Sequence, residues 1–176
     1  MLVKQLHMVH RDLGSLPEIE IPDGYELRSY RPGDEKHWVA IMNTGVGEWT
    51  AEKCRDEITS KPQFLPDGLF FVTFEGKPVG SACAWRKSPD DREIGWLHMV
   101  CVVPDHRGRQ LGHVVNLAVL CYFRDRGFKE VRLSTDDWRL PAIKSYLRLG
   151  FEPHYLDDSH RERWRKVFDR LGTSAP

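Results

Sequence analysis

The chain has 176 residues, enough for one domain with a substantial core, and its 40% hydrophobic and 30% charged content fits a folded globular protein rather than a disordered one. Its 26 Lys and Arg balance 26 Asp and Glu, which argues against a general nucleic-acid binder. The longest apolar stretch, around Val114–Phe123, is about half the length of a membrane helix, so neither nucleic acid nor membrane is expected as a partner. Cys54, Cys83, Cys101 and Cys121 form no C-x-x-C pair, and three of them lie in apolar runs. They read as reduced, buried thiols, with no metal site expected. Lys4, His7, His10 and Arg11 interrupt the first twelve residues, which therefore lack the apolar core of a signal peptide. A cytoplasmic protein is expected.

Residues 5–13 suggest an extra strand, followed by a connector that contains Pro17 and Pro22. Tyr25–Tyr30 alternates and predicts a strand, which Pro32-Gly33-Asp34 breaks. A helix is predicted over 34–46 and another over about 50–59, with Thr50 as its cap. Leu69–Phe74 and Val79–Trp85 predict a hairpin turning at Glu75–Pro78. Residues 93–103, apolar and β-branched, predict a strand at the centre of a sheet. A helix over 107–126 stops at Gly127, a strand covers Val131–Thr135, and a helix over 138–149 stops at Gly150. A short strand at about 151–156 and a helix at about 159–171 end the chain. The order β-α-α-β-β-β-α-β-α-β predicts an α/β sandwich around a mixed sheet.

The run Val102–His113 carries the most chemistry. It links a strand to a helix through a turn containing Arg107, Gly108, Arg109 and Gly112. Unpaired amides and the dipole at a helix N-terminus attract anions, and the guanidinium groups of Arg107 and Arg109 suit phosphate oxygens. Glycine lets a bulky phosphate approach the backbone closely. The run therefore predicts a site for a cofactor bearing a pyrophosphate.

Two blocks resemble the GCN5-related N-acetyltransferase superfamily over roughly residues 24–155. Arg107-Gly108-Arg109-Gln110-Leu111-Gly112 is similar to that family's cofactor turn, with Gln110 in place of its first glycine. Ala142-Ile143-Lys144-Ser145-Tyr146, followed by Gly150-Phe151, is similar to its second block, with Arg139 where the family often has asparagine. The resemblance implies a mostly antiparallel mixed sheet flanked by helices. It divides the chain into an N-terminal strand and connector (1–23), the acetyltransferase domain (24–156) and an added amphipathic helix (157–176) packed on the same domain.

The resemblance further implies acetyl-CoA as co-substrate, without a metal. Val100, Cys101 and Val102 would bind its pantetheine arm, and Arg107, Gly108, Arg109, Gln110, Leu111, Gly112 and His113 its diphosphate. Arg139 would touch the cofactor or pair with Asp136 and Asp137, which themselves read as acceptor ligands or as capping and turn residues. By its surroundings in sequence Tyr146 reads as a packing residue beside Ile143, Leu147 and Leu149; by the resemblance it is the proton donor to the departing thiolate. His98 is the candidate general base or a core histidine, and Glu93 the alternative base; members of the family also work without a dedicated base. Trp38, Glu48 and Trp49 would wall the acceptor side. The function implied is transfer of an acetyl group to the amine of a small, amino-acid-like molecule by direct attack in a ternary complex. A silent acyl-CoA-binding module and a protein N-acetyltransferase are the competing readings, and a second copy of the chain is a candidate partner.

Overall fold

The computed structural model describes residues 4–173. Seven strands occupy the alternating and β-branched segments: β1 (Leu6–His10), β2 (Tyr25–Ser29), β3 (Phe64–Phe74), β4 (Lys77–Trp85), β5 (Ile94–Val102), β6 (Glu130–Thr135) and β7 (Glu152–His154). The helices are α1 (Glu35–Met42), α2 (Ala51–Cys54), α3 (Leu111–Asp125), α4 (Leu140–Arg148) and α5 (Asp158–Leu171). The strands form one open sheet in the order β2-β3-β4-β5-β6-β1-β7. All neighbours are antiparallel except β5 and β6. This is the mixed, mostly antiparallel α/β sandwich expected, and β5 is its middle strand.

Local chemistry explains most boundaries. The Thr50 side chain accepts from the Lys53 amide at 3.1 Å and caps α2, which runs on into one π-helical turn, Arg55–Thr59. The hairpin turn is only Glu75-Gly76, with φ of 48° and 76°. Two positive φ values give the tight turn whose twist matches the strands, so Lys77 and Pro78 belong to β4 rather than to the turn.

Two features set the shape of the sheet. β1 lies between β6 and β7, pairing with Leu133 and its neighbours on one side and with Pro153 and its neighbours on the other. Leu6 and Met8 of β1 are fully buried in the main core with α3, α4 and α5. Helix α5 buries Trp164, Val167 and Phe168 there, the stripe its sequence spacing predicts. At Gly95 an added Cβ would come within 2.6 Å of the Phe123 ring, so β5 and α3 pack in direct contact because that position has no side chain. A smaller core beneath α1 and α2 holds Trp38, Ile41, Met42, Cys54 and Ile58 against Phe71, Cys83 and Cys101. No helix among the described residues is long and apolar enough to cross a membrane.

Candidate active site

β5 and β6 pair only from Ile94 to Trp96, opposite Glu130 to Arg132. Beyond Trp96 they part, while β5 stays bonded to β4. There the β4–β5 register slips: Cys83 faces His98 and Ser81 faces Cys101, so β5 spends three steps against two. The extra residue is a bulge at Met99, which sits at φ 52°, a left-handed conformation that costs a side-chain-bearing residue about 1–3 kcal/mol. No glycine or proline marks this bulge in the sequence, and Met99 went unsuspected as a site residue. The parted strands enclose a cleft of about 350 Å³, lined at one end by Val100, Arg139 and Tyr146 and at the other by Trp85, Lys87 and Trp96. His98 and Met99 lie on its wall.

The segment after β5 forms a 3-10 turn over Pro104–His106, and α3 begins at Leu111, four residues later than predicted. The cause is backbone conformation, because Gly108 (φ 77°) and Gln110 (φ 61°) are left-handed and cannot continue a helix. Gln110 thus adopts the conformation that suits the glycine it replaces. The first helical bond is Val114 N–H to the Gln110 carbonyl, at 3.1 Å. Among the described residues, the six amides from Gly108 to His113 donate to no protein acceptor. A Cβ at Gly108 or Gly112 would meet nothing within 4 Å, so open space adjoins these amides. Arg107 donates from Nε to the Val102 carbonyl (2.9 Å) and from Nη2 to the Thr44 carbonyl (3.4 Å). Arg109 donates to the Tyr25 hydroxyl at 2.7 Å. Among the described residues neither arginine has a carboxylate partner.

Residues 35–151 match the model of the acetyltransferase (GNAT) family. The chain belongs to the GNAT family. The mycothiol acetyltransferase of Thermomonospora curvata is 36% identical over 149 residues, 81% of this GNAT chain and 49% of that protein. The mycothiol acetyltransferase of Rhodococcus erythropolis is 34% identical over 169 residues, 88% of this chain and 56% of that protein. The GNAT chain spans about half the length of the curated relatives it matches. A solved GCN5-related N-acetyltransferase from Sphaerobacter thermophilus superposes with a TM-score of 0.73 at 23% identity, over 86% of this chain and 50% of that one. Ard1 from Thermoplasma volcanium gives 0.63 at 21% identity, over 78% and 91%. These structures share the GNAT fold.

The predicted residues of the GNAT chain fall into three groups. Tyr146, His98, Val100 and Arg139 meet at the cleft. Tyr146 is 8% exposed, and burial pushes its phenol up to about 12, against a weaker downward pull from Arg139, so it remains a proton donor at neutral pH. Burial pushes His98 down to about 4, which keeps the imidazole neutral. Arg139 pairs with Asp136 (3.0 Å) and reaches the Gly45 carbonyl (3.4 Å), tying the start of α4 to the loop after α1. The second group gathers at the turn: Arg107, Gly108, Arg109, Gln110, Leu111, Gly112 and His113, with Val102 entering through its carbonyl. Leu111 itself is buried, so only its backbone faces the turn.

The third group lies elsewhere. Glu93 is exposed and precedes β5; its carbonyl accepts the Lys129 and Glu130 amides, and its side chain does not line the cleft. Five residues of extended strand, roughly 16 Å, separate it from His98, so the geometry does not support Glu93 as a base. The Cys101 thiol turns to the Ile41 carbonyl at 3.3 Å, into the smaller core, so only its backbone on β5 is left for the role expected of it. Trp38 packs in that core with Trp49 against it at a 4.8 Å centroid distance, so both tryptophans support α1 rather than wall the cleft, and of that loop it is Val46 that reaches the cleft. Neither aspartate caps α4: Asp136 holds Arg139 and Asp137 holds Arg163 of α5, which keeps Asp137 below the usual carboxylate range. Sequence reasoning also passed over Gln5, Trp85, Lys87, Trp96 and Ser134, which line the cleft from four separate stretches of chain. A larger groove, about 450 Å³ between α4 and α5, holds none of the predicted site residues.

Proposed function

We propose that the chain is an acetyl-CoA-dependent N-acetyltransferase acting on the amine of a small molecule by direct attack in a ternary complex. The observation that carries this reading is that β5, whose side facing β6 is unpaired beyond Trp96, joins the cleft lined by Tyr146 to the turn whose amides from Gly108 to His113 have no acceptor among the described residues. The residues fit coenzyme A. Free amides and two arginines without carboxylate partners face open space suited to a diphosphate, and the unpaired edge of β5 suits an amide-bearing arm, as an added strand would.

Acetyl-CoA supplies an activated thioester and a thiol leaving group. The chain's own groups do the remaining work. The cleft holds the amine beside His98, whose neutral imidazole accepts an N–H bond and so aims the lone pair at the carbonyl carbon. As the C–N bond forms and the C–S bond breaks, the electron pair passes to sulfur and Tyr146 delivers a proton there. The proton lost by the amine leaves through water. Burial makes imidazolium costly, which favours His98 as an orienting acceptor over a strong base. The relatives named mycothiol acetyltransferase support a small-molecule acceptor over a protein. The cytoplasmic location proposed rests on four cysteines that stand free of disulfides among the described residues. Release of free thiol from acetyl-CoA across a panel of amines tests the reading: amine-dependent release is expected, and CoA binding without turnover on any amine would favour the silent binding module.

A further inference from the structure

The far end of the cleft carries a charge that no carboxylate among the described residues neutralises. Lys87, just past the end of β4, lines the cleft with its ammonium 3.8 Å from the centre of the Trp96 ring. Among the described residues it has no carboxylate partner. The other charges lining the cleft cancel. Asp136 takes Arg139 Nε at 3.0 Å and the Gln5 side-chain amide at 3.1 Å. His98 and Tyr146 are neutral at neutral pH. One lysine therefore leaves the cleft with a positive charge. That field disfavours an ammonium group and favours the neutral amine that attack requires, and it attracts an anionic group on the same molecule. The indoles of Trp85 and Trp96, paired in register on β4 and β5, supply an apolar wall between Lys87 and His98. A space of about 350 Å³ is at the small end of ligand sites, which suits a metabolite rather than a polymer.

We propose that Lys87 is a carboxylate-binding residue and that the acceptor is an amine whose carboxylate lies several bonds from the nitrogen, of the class of acidic and ω-amino acids. The carboxylate meets Lys87 while the amine faces His98 and Tyr146. The inference rests on the acetyltransferase reading above and narrows its acceptor. It also gives the Lys87–Trp96 stack a purpose, because a lysine held against an indole is pre-placed to receive an anion at its free side.

The test uses ω-amino acids of increasing chain length and their carboxamides, matched in length and differing only in the acid group. Each is titrated by calorimetry, and by tryptophan fluorescence, into the protein saturated with CoA. Acids are expected to bind at least tenfold tighter than amides. Lys87→Met should bring the two to within twofold of each other with CoA affinity unchanged, and Lys87→Arg should restore most of the preference. The proposal is overturned if amides bind as well as acids, if Lys87→Met weakens both equally, or if CoA binds and neither acid nor amide does. Absence of CoA binding overturns the acetyltransferase reading instead.

Discussion

The two parts of the site, the turn and the cleft, are built from different materials. The turn at residues 107–113 is made of backbone: consecutive free amides, two left-handed residues and a helix N-terminus, all within one stretch of chain. The acceptor end is made of side chains on or beside β1, β4, β5 and β6, with Gln5, Lys87, Trp96 and Ser134 far apart in sequence. A backbone site tolerates a change of side chain wherever the new residue keeps the backbone conformation, as Gln110 shows by taking a glycine's conformation. A side-chain site changes its preference with a single substitution.

The largest effect that sharpens this contrast is at Tyr146. Tyr146→Phe removes one hydroxyl from a buried position and should lower kcat at least tenfold while leaving CoA affinity unchanged. Steady-state thiol release and CoA titration together check it, and an unaltered kcat would remove Tyr146 from the mechanism.

An intermediate effect is expected in acid, and it belongs to the side-chain end. His98 and His7 both have folded-state values near 4, below the ordinary 6.5. Burial is the leading cause for each, and the positive charge of Lys87 adds to it at His7. The unfolded chain thus binds protons more readily, so their contribution is complete above about pH 6.5 and is lost as the pH falls towards 4. For His98 the loss is on the order of 3 kcal/mol, and it is smaller for the partly exposed His7. Urea denaturation at a series of pH values should show this decline, and His98→Gln should flatten it. An equally steep decline in that variant would assign acid sensitivity to other groups.

The smallest effect is expected outside both ends. Glu93→Gln, at an exposed position before β5, should change kcat and KM by less than twofold. A tenfold loss on its own would bring that carboxylate back into the chemistry.

The same contrast explains what the sequence disclosed. Strands such as Val131–Thr135 and the α5 stripe of Trp164, Val167 and Phe168 were legible because periodicity is local. The cofactor turn was legible because its requirements are met within a dozen residues. The start of α3 was misplaced because an αL glutamine leaves no mark in composition. The seat of β1 between β6 and β7 is a matter of long-range pairing, which periodicity does not encode. The Met99 bulge, and Lys87 with Gln5 at one cleft, arise only once β4, β5 and β1 share a sheet. Glu93 followed from the resemblance alone, and which side of a strand end a carboxylate takes is not written in a family pattern; here it lies off the cleft.

The most direct measurement of the central claim is calorimetric titration with CoA and with pantetheine, which lacks the diphosphate and nucleotide, on the wild type and on Gly108→Val. Gly108 sits at φ 77°, where a β-branched residue is strained by roughly 1–2 kcal/mol and the turn must shift. The account predicts that CoA binds the wild type at least a hundredfold tighter than pantetheine, and that Gly108→Val weakens CoA about tenfold while leaving pantetheine nearly unchanged. Equal affinities for the two ligands, or a Gly108→Val protein that binds CoA like the wild type, would contradict it.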